Sequence, residues 1–236
     1  MQTPSLFPEP ASPMHQFLTG QPWFGPLSAA LRERVLRECT TFTADQGAVA
    51  LPSGETTQGW YAVLHGLVKL QSTSRNGRAA AFLGAPAGEW FGEGTALKAE
   101  CRRYEVVALR DSLLLCLPLP LFDELRAQQL PFNQFMVAHL NRRLGQAMAG
   151  IEAGRIRSPE QRVALFISGL FWKSARRLDL SQEEIGQLSG LSRQTVNRAL
   201  QKLEAMGLVA LQFSRVRITD EAGLCAFLSQ PDGGTA

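Results

Sequence analysis

At residue 130 the hydrophobic period of this chain changes. From there Leu130, Val137, Leu140, Leu144, Ala147 and Ile151 recur at alternating intervals of three and four, with Asn133 filling the one missing position. Such spacing is a coiled-coil seam about three heptads long. Before it, from about residue 40 to 118, short β-type runs (GWYAVL, GLVKLQST, AAAFLG, EVVAL, SLLLCL) alternate with turn signals at Ser53-Gly54, Asn76-Gly77 and Pro86 to Gly88. Asn-Gly is a hairpin signal because a type I′ turn needs positive φ at both central residues. Many short strands at close spacing predict a barrel or sandwich. The class is therefore α+β: a β unit, a long helix and whatever the helical remainder builds. Phe135, Met136 and Met148 broaden the seam, so the helix is expected to lay one edge on the β unit and the other, through Val137, Leu140, Leu144, Ala147 and Ile151, against a second copy of itself.

With 236 residues the chain has room for two domains that each bury a core. Its longest apolar run, SLLLCLPLPLF, falls short of the roughly 18 to 20 residues that span a bilayer and is interrupted by Pro118 and Pro120. It reads as a buried strand leading to a turn, and no membrane partner is expected. The start, MQTPSLFPEPASPM, has neither a basic region nor an apolar core of an export signal. Cys39, Cys101, Cys116 and Cys225 are scattered without a CxxC or His/Cys pairing, which fits small core residues in a reducing cytoplasm. Net charge is only +3, but residues 155–236 carry 11 Lys and Arg against 8 Asp and Glu, whereas 1–154 carries 13 of each. All of the positive excess lies in the C-terminal third, where a surface facing phosphates would want it.

That third contains its own sequence of caps. Ser158 with Pro159 and Gln161 starts one helix after a hinge at Gly154 to Ser158; Ser181 and Glu184 form a capping box for a second; Ser192 caps a third, which Gly207 closes. Ser189-Gly190-Leu191 supplies a tight turn between the last two, and LVALQFSRVRIT alternates as a β-ribbon. Helix, glycine turn, capped helix and hairpin together make a winged helix-turn-helix. On the last helix Val196, Leu200 and Leu203 form an apolar stripe, while Arg193, Gln194, Asn197 and Arg198 point away from it. Two guanidiniums and two carboxamides without a carboxylate suit base edges: the Arg fork matches guanine O6 and N7, and Gln pairs with adenine. Ser192, Thr195, Gln201 and Lys202 are placed to touch phosphate or cap the helix, and Arg215 and Arg217 to reach the backbone as a wing. A winged helix used for protein contacts alone is the plainer alternative.

EEIGQLSGLSRQTVNRALQKLE in the C-terminal third, with YAVLHGLVKL and GEWFGEG in the β unit, resembles the bacterial Crp/Fnr family of transcription regulators over residues of about 25 to 228. The Pro-rich start predicts a flexible N-terminal extension (1–24), and the resemblance implies a cyclic-nucleotide-binding-like β-roll that senses an effector (25–128), a dimerisation helix and hinge (129–157) and a winged helix-turn-helix (158–236). It implies a homodimer on a palindromic promoter site, with contact to RNA polymerase and a small-molecule effector. The half-site readers match Arg193, Gln194 and Arg198, with Gln194 where the cyclic-AMP-responsive members carry Glu.

In those members the segment after Phe-Gly-Glu holds the cyclic phosphate with backbone amides and an Arg-Ser pair, and the Glu takes the ribose hydroxyl. This chain keeps Phe91-Gly92-Glu93 and has Arg103 at the spacing of the phosphate arginine. Tyr104 replaces the Ser, Glu105 replaces a small neutral residue, and Ala147 and Met148 stand where a Thr-Ser pair touches the base. These replacements argue against cyclic AMP. Glu93 and Arg103 are expected to form either a working anion site or an internal ion pair, and an apolar or aromatic effector edged by Met148 and Tyr104 stays open. No cysteine precedes Cys39 and the histidines His15, His65 and His139 are isolated, so neither an iron–sulfur cluster nor haem is implied. No nucleophile–base pair, metal cluster or phosphate loop supports an enzyme. An effector-independent repressor and a nucleotide-responsive subunit with a non-DNA output are the competing readings.

Overall fold

The computed structural model describes residues 12–74, 76, 79–169, 171–172, 179–212 and 215–230. Two helices, α1 (Pro13–Thr19) and α2 (Ala29–Glu38), lead into β1 (Thr40–Ala44), β2 (Val49–Leu51), β3 (Gly59–His65), β4 (Leu67–Thr73), β5 (Ala79–Pro86) and β6 (Trp90–Phe91). Helix α3 (Glu93–Lys98) then precedes β7 (Glu105–Ala108) and β8 (Ser112–Pro118), followed by α4 (Leu119–Gln128) and the long α5 (Leu130–Ile156). The C-terminal part runs α6 (Pro159–Ile167), α7 (Gln182–Ser189), α8 (Arg193–Ala205), β9 (Val209–Gln212), β10 (Arg215–Ile218) and α9 (Glu221–Ser229).

The first eight strands pair antiparallel into two sheets, in the orders β1-β8-β3-β6 and β2-β7-β4-β5. Strand β3 shows why they stack. Tyr61 and Val63 point between the sheets and meet Val68, Leu70, Val106 and Leu114. Trp60 and Ala62 point the other way, into a core with Trp90 of β6, Leu117 of β8, and Phe122 and Phe132 from the flanking helices α4 and α5. Trp60 stacks on Trp90 with centroids 4.2 Å apart. With both faces covered, β3 is apolar at nearly every position, as a doubly buried strand must be.

The N-terminal expectation needs correction. Among the described residues of the supposed flexible extension, α1 is a regular helix capped by Ser12, and Leu18, Trp23 and Phe24 are buried against Trp90 and Phe132. Proline richness suggested mobility, but burial of two large aromatic rings anchors the segment, so the β unit begins before residue 25; residues 1–11 lie outside the described residues, as does Gly77 of the expected Asn-Gly turn. The run after SLLLCL is not a turn either: Pro118 and Pro120 occupy the N-cap and first turn of α4, where proline lacks no needed donor.

Helix α5 carries two stripes a half-turn apart. Phe132, Met136, His139, Arg143, Gln146 and Ala153 are buried against the chain's own domains. Leu130, Val137, Leu144 and Ile151, seven residues apart in turn, are 58–68% exposed. The expected hinge is narrower than Gly154 to Ser158: α5 continues through Ile156, and only Arg157 and Ser158 are extended (φ −100°, ψ 142° and φ −59°, ψ 158°). Arg157 donates to the Leu228 carbonyl and the Gln161 amide to that of Gln230, which fastens the joint to the end of α9. Among the described residues no helix is long and apolar enough to cross a membrane.

Candidate nucleic-acid interface

Local chemistry builds α7 and α8 with little help from the rest of the chain. Ser181 Oγ accepts from the Glu184 amide at 3.2 Å while Glu184 Oε2 accepts from the Ser181 amide at 2.7 Å, closing a capping box. Gly190 ends α7 at φ 67°, a left-handed conformation that glycine adopts without strain. The turn then closes through a 3.1 Å bond from the Leu191 amide to the Gly186 carbonyl. Ser192 caps α8 by accepting from the Thr195 amide at 3.2 Å. Val196, Ala199, Leu200 and Leu203 of α8 are buried with Val163, Ile185 and Leu188. At the far end the Leu208 amide reaches the Leu203 carbonyl at 3.0 Å with Gly207 at φ 75°, a left-handed helix stop.

Burial of that stripe turns Arg193, Gln194, Arg198, Gln201 and Lys202 to solvent. Among the described residues Arg193, Gln194 and Arg198 make no side-chain hydrogen bond or ion pair, so all their donors are free for a ligand. Other expected contact residues are engaged. Asn197 Nδ2 donates to Gln182 Oε1 at 3.2 Å, Lys202 Nζ lies 2.5 Å from Glu160 Oε1, and Arg215 Nη1 lies 3.4 Å from Asp179 Oδ2. The Ser192 and Thr195 hydroxyls bond each other at 2.8 Å. Lys202 and Arg215 are exposed, and such surface pairs contribute about 0–1 kcal/mol, so a phosphate can displace them. Arg217 is exposed beside Arg215 on β10.

The five residues expected around an effector do not converge. Gly92 (φ 85°), Glu93 and Tyr104 do share one place, since a side chain at Gly92 would come within 3.8 Å of the Tyr104 hydroxyl. Arg103 is 79% exposed and pairs with Glu100 at 3.2 Å, so it forms neither the expected anion site nor an ion pair with Glu93. Its neighbour Arg102 is the buried one, donating to the Pro52 carbonyl at 2.8 Å and lying over the Tyr61 ring. Glu105 turns to β4, accepting from Gln71 at 2.7 Å and Thr73 at 2.6 Å; those two bonds hold its carboxyl below the ordinary range. Met148 is 62% exposed, on a groove of about 570 Å³ with Leu144, Leu165 and Phe171.

Side chains from α5 face Glu93 instead. His139 Nε2 lies 3.4 Å and Arg143 Nε 3.7 Å from its carboxylate. Burial pushes the Glu93 carboxyl up, but the facing His139 imidazole and the Arg143 charge outweigh it and hold the group below its usual value. Arg142 bonds Glu89 Oε2 at 2.9 Å and His139 Nδ1 at 3.0 Å. Because a guanidinium only donates, Nδ1 is the lone-pair nitrogen and the imidazole N–H is on Nε2, towards Glu93. Arg143 also donates to the Gly84 carbonyl and to Gln146, which donates in turn to the Phe171 carbonyl at 2.8 Å. The sequence reading missed Glu89, His139, Arg142, Arg143 and Gln146. For the four on α5 the available signal was their place on or beside the stripe that starts at Phe132 and Met136, whereas Glu89, in the loop before β6, carried none.

Residues 42–129 match the cyclic nucleotide-binding domain family and residues 161–227 the Crp-like helix-turn-helix domain family. The chain is 32% identical over 185 residues to the cyclic AMP receptor protein of Thermus thermophilus, covering 75% of this chain and 82% of that protein. To the transcriptional regulator LdrP of the same organism it is 26% identical over 175 residues, 72% of this chain and 88% of LdrP. Among solved structures, FixK2 from Bradyrhizobium japonicum superposes with a TM-score of 0.68 at 20% identity, covering 84% of this chain and 99% of FixK2.

Proposed function

The chain belongs to the Crp/Fnr family of transcription regulators, with a cyclic nucleotide-binding domain and a helix-turn-helix, and from that premise we propose that it acts as a homodimer on a palindromic promoter site. It is a DNA-binding regulator and not an enzyme. One observation carries the finer reading: a single chain leaves Leu130, Val137, Leu144 and Ile151 exposed in heptad register on a helix whose opposite stripe is already buried. A second α5 is the partner that such a row fits, because apolar residues every seven positions interlock with an identical row. Two copies then present two α8 helices to successive major grooves, about 34 Å apart. Arg193, Gln194 and Arg198 read the bases, with Asn197 on the same face, and Ser192, Thr195, Gln201, Lys202 and Arg215 fix register on the phosphates.

The effector of the β-roll is, in this reading, a small molecule other than cyclic AMP. Arg103 is outside the pocket, and the guanidinium near Glu93 is Arg143, already committed to the Gly84 carbonyl and Gln146. Ala147 and Met148 offer a base no side-chain hydrogen bond. The reading includes contact with RNA polymerase in the cytoplasm, for which membership of the family is the support.

Selecting bound duplexes from random DNA tests the DNA reading. The expected product is a two-fold symmetric site with half-sites about one helical turn apart and a guanine preference in each. An asymmetric consensus, or no enrichment at low salt, overturns it.

A further inference from the structure

Strand β5 of the sensor domain is cut to fit the DNA-binding domain. A side chain at Gly84 would place its first carbon 2.6 Å from the Trp172 ring and 2.9 Å from Leu188 of α7, too close for any residue but glycine. The Trp172 indole is held by its own domain, donating to the Phe166 carbonyl at 2.6 Å. Leu67 and Leu109 of the β domain, 0% and 4% exposed, join the same apolar cluster as Trp172, Ile185 and Leu188. Two polar contacts flank that seat. Lys69 donates to Gln187 at 2.8 Å, and Arg110 grips both oxygens of Glu184, one of them at 2.9 Å, and also reaches the Asp179 carbonyl. Glu184 is the residue that closes the cap of α7, so the β domain holds α7 at its first turn, and α7 is joined to α8 by the short turn at Gly190.

From this we infer that Gly84, Trp172 and Arg110 are positioning residues for DNA reading: they seat the helix-turn-helix on the β domain of its own chain and fix the direction in which α8 is presented. The joint at Arg157 and Ser158 does not do so alone, since its hydrogen bonds to the end of α9 stay within the C-terminal part and do not reach the β domain. In the seated position Arg193, Gln194 and Arg198 remain exposed and unpaired, so seating presents the reading face and does not mask it. Orientation settled before binding is freedom that need not be lost on DNA. The gain appears on a site that engages both copies at once, where the second contact is intramolecular. In that respect the inference rests on the dimeric reading above.

Gly84→Val tests it, because valine suits a strand but cannot fit beneath Trp172; Arg110→Ala is the second variant, cutting the polar grip from the β side should Gly84→Val fail to fold. Each full-length protein is compared with wild type by small-angle X-ray scattering, and by titration of a full-site duplex and a half-site duplex taken from the random-DNA selection. The variants are expected to scatter as more extended particles and to lose about tenfold or more on the full site, with half-site affinity unchanged. Wild-type scattering together with a wild-type ratio of full-site to half-site affinity overturns the inference, as does tighter full-site binding by the variants, which would make the seat a restraint. If the wild-type protein itself does not favour the full site, the dimeric reading fails, and scattering alone decides: expansion of the variants upholds the seat, and no expansion rejects it.

Discussion

Val137→Asp combined with Leu144→Glu is expected to leave the protein monomeric at micromolar concentration and to lower its affinity for a full palindromic site to that for a half-site. The two side chains are 67% and 59% exposed in the single chain and share their row with Leu130 and Ile151. Covering a leucine or valine fully is worth about 1.5–3 kcal/mol per side chain, and four positions on each of two helices make this row the principal attraction between copies. Carboxylates at two heptad positions replace that gain with four negative charges facing one another in a desolvated seam. The fold of each chain should survive, since exposed substitutions typically change stability by about 0.5 kcal/mol or less. Sedimentation velocity reads the association state directly, and far-UV circular dichroism checks the fold. A double variant that stays dimeric would remove α5 as the interface.

Arg193→Ala with Arg198→Ala is expected to abolish sequence-specific binding with little effect on stability. Both guanidiniums are exposed, so their removal leaves no buried partner unsatisfied. A bidentate arginine–guanine contact is worth about 1–3 kcal/mol, and the pair should cost on the order of a hundredfold or more in specific affinity at each half-site. Competition titrations with selected and scrambled duplexes make the measurement: the variant should bind both with similar, strongly salt-dependent affinity. Retained preference for the selected duplex would assign base reading to other residues.

What could be read from the sequence was whatever is decided locally or by regular spacing. The caps at Ser181 and Ser192, the Gly190 turn and the Gly207 stop each need only a few neighbouring residues, and each is present. Of the seam read from the spacing, Leu130, Val137, Leu144 and Ile151 are exposed in one chain, whereas Leu140 packs on the chain's own core and Ala147 is half-buried, so the row left for a partner is narrower than the expected one. Strands β1, β2 and β6 were not picked out: β2 and β6 have only three and two residues, and β1 (TTFTA) carries a single large apolar side chain.

The errors lie where one residue of register or a distant partner decides. Arg102 and Arg103 are indistinguishable by composition, but adjacent positions face opposite sides of an extended chain, and the inward one is Arg102. Asn197, Lys202 and Arg215 looked free because Gln182, Glu160 and Asp179 are 15, 42 and 36 residues away. Arg143 was legible only as a charged residue on a long helix, whereas the fold buries it between Glu93 and Gly84. Trp23 and Phe24 sit in a stretch whose prolines suggest mobility, and the rings that hold Trp23 come from β6 and α5, with Phe24 packed on Trp23.

Sedimentation equilibrium of the wild-type chain with a full-site duplex would be the most direct single measurement. The expected complex holds two chains per duplex, with no stable species of one chain on one duplex at saturation. One chain per duplex, or failure to bind any selected duplex at low salt, would contradict paired presentation of α8 by two copies joined along α5.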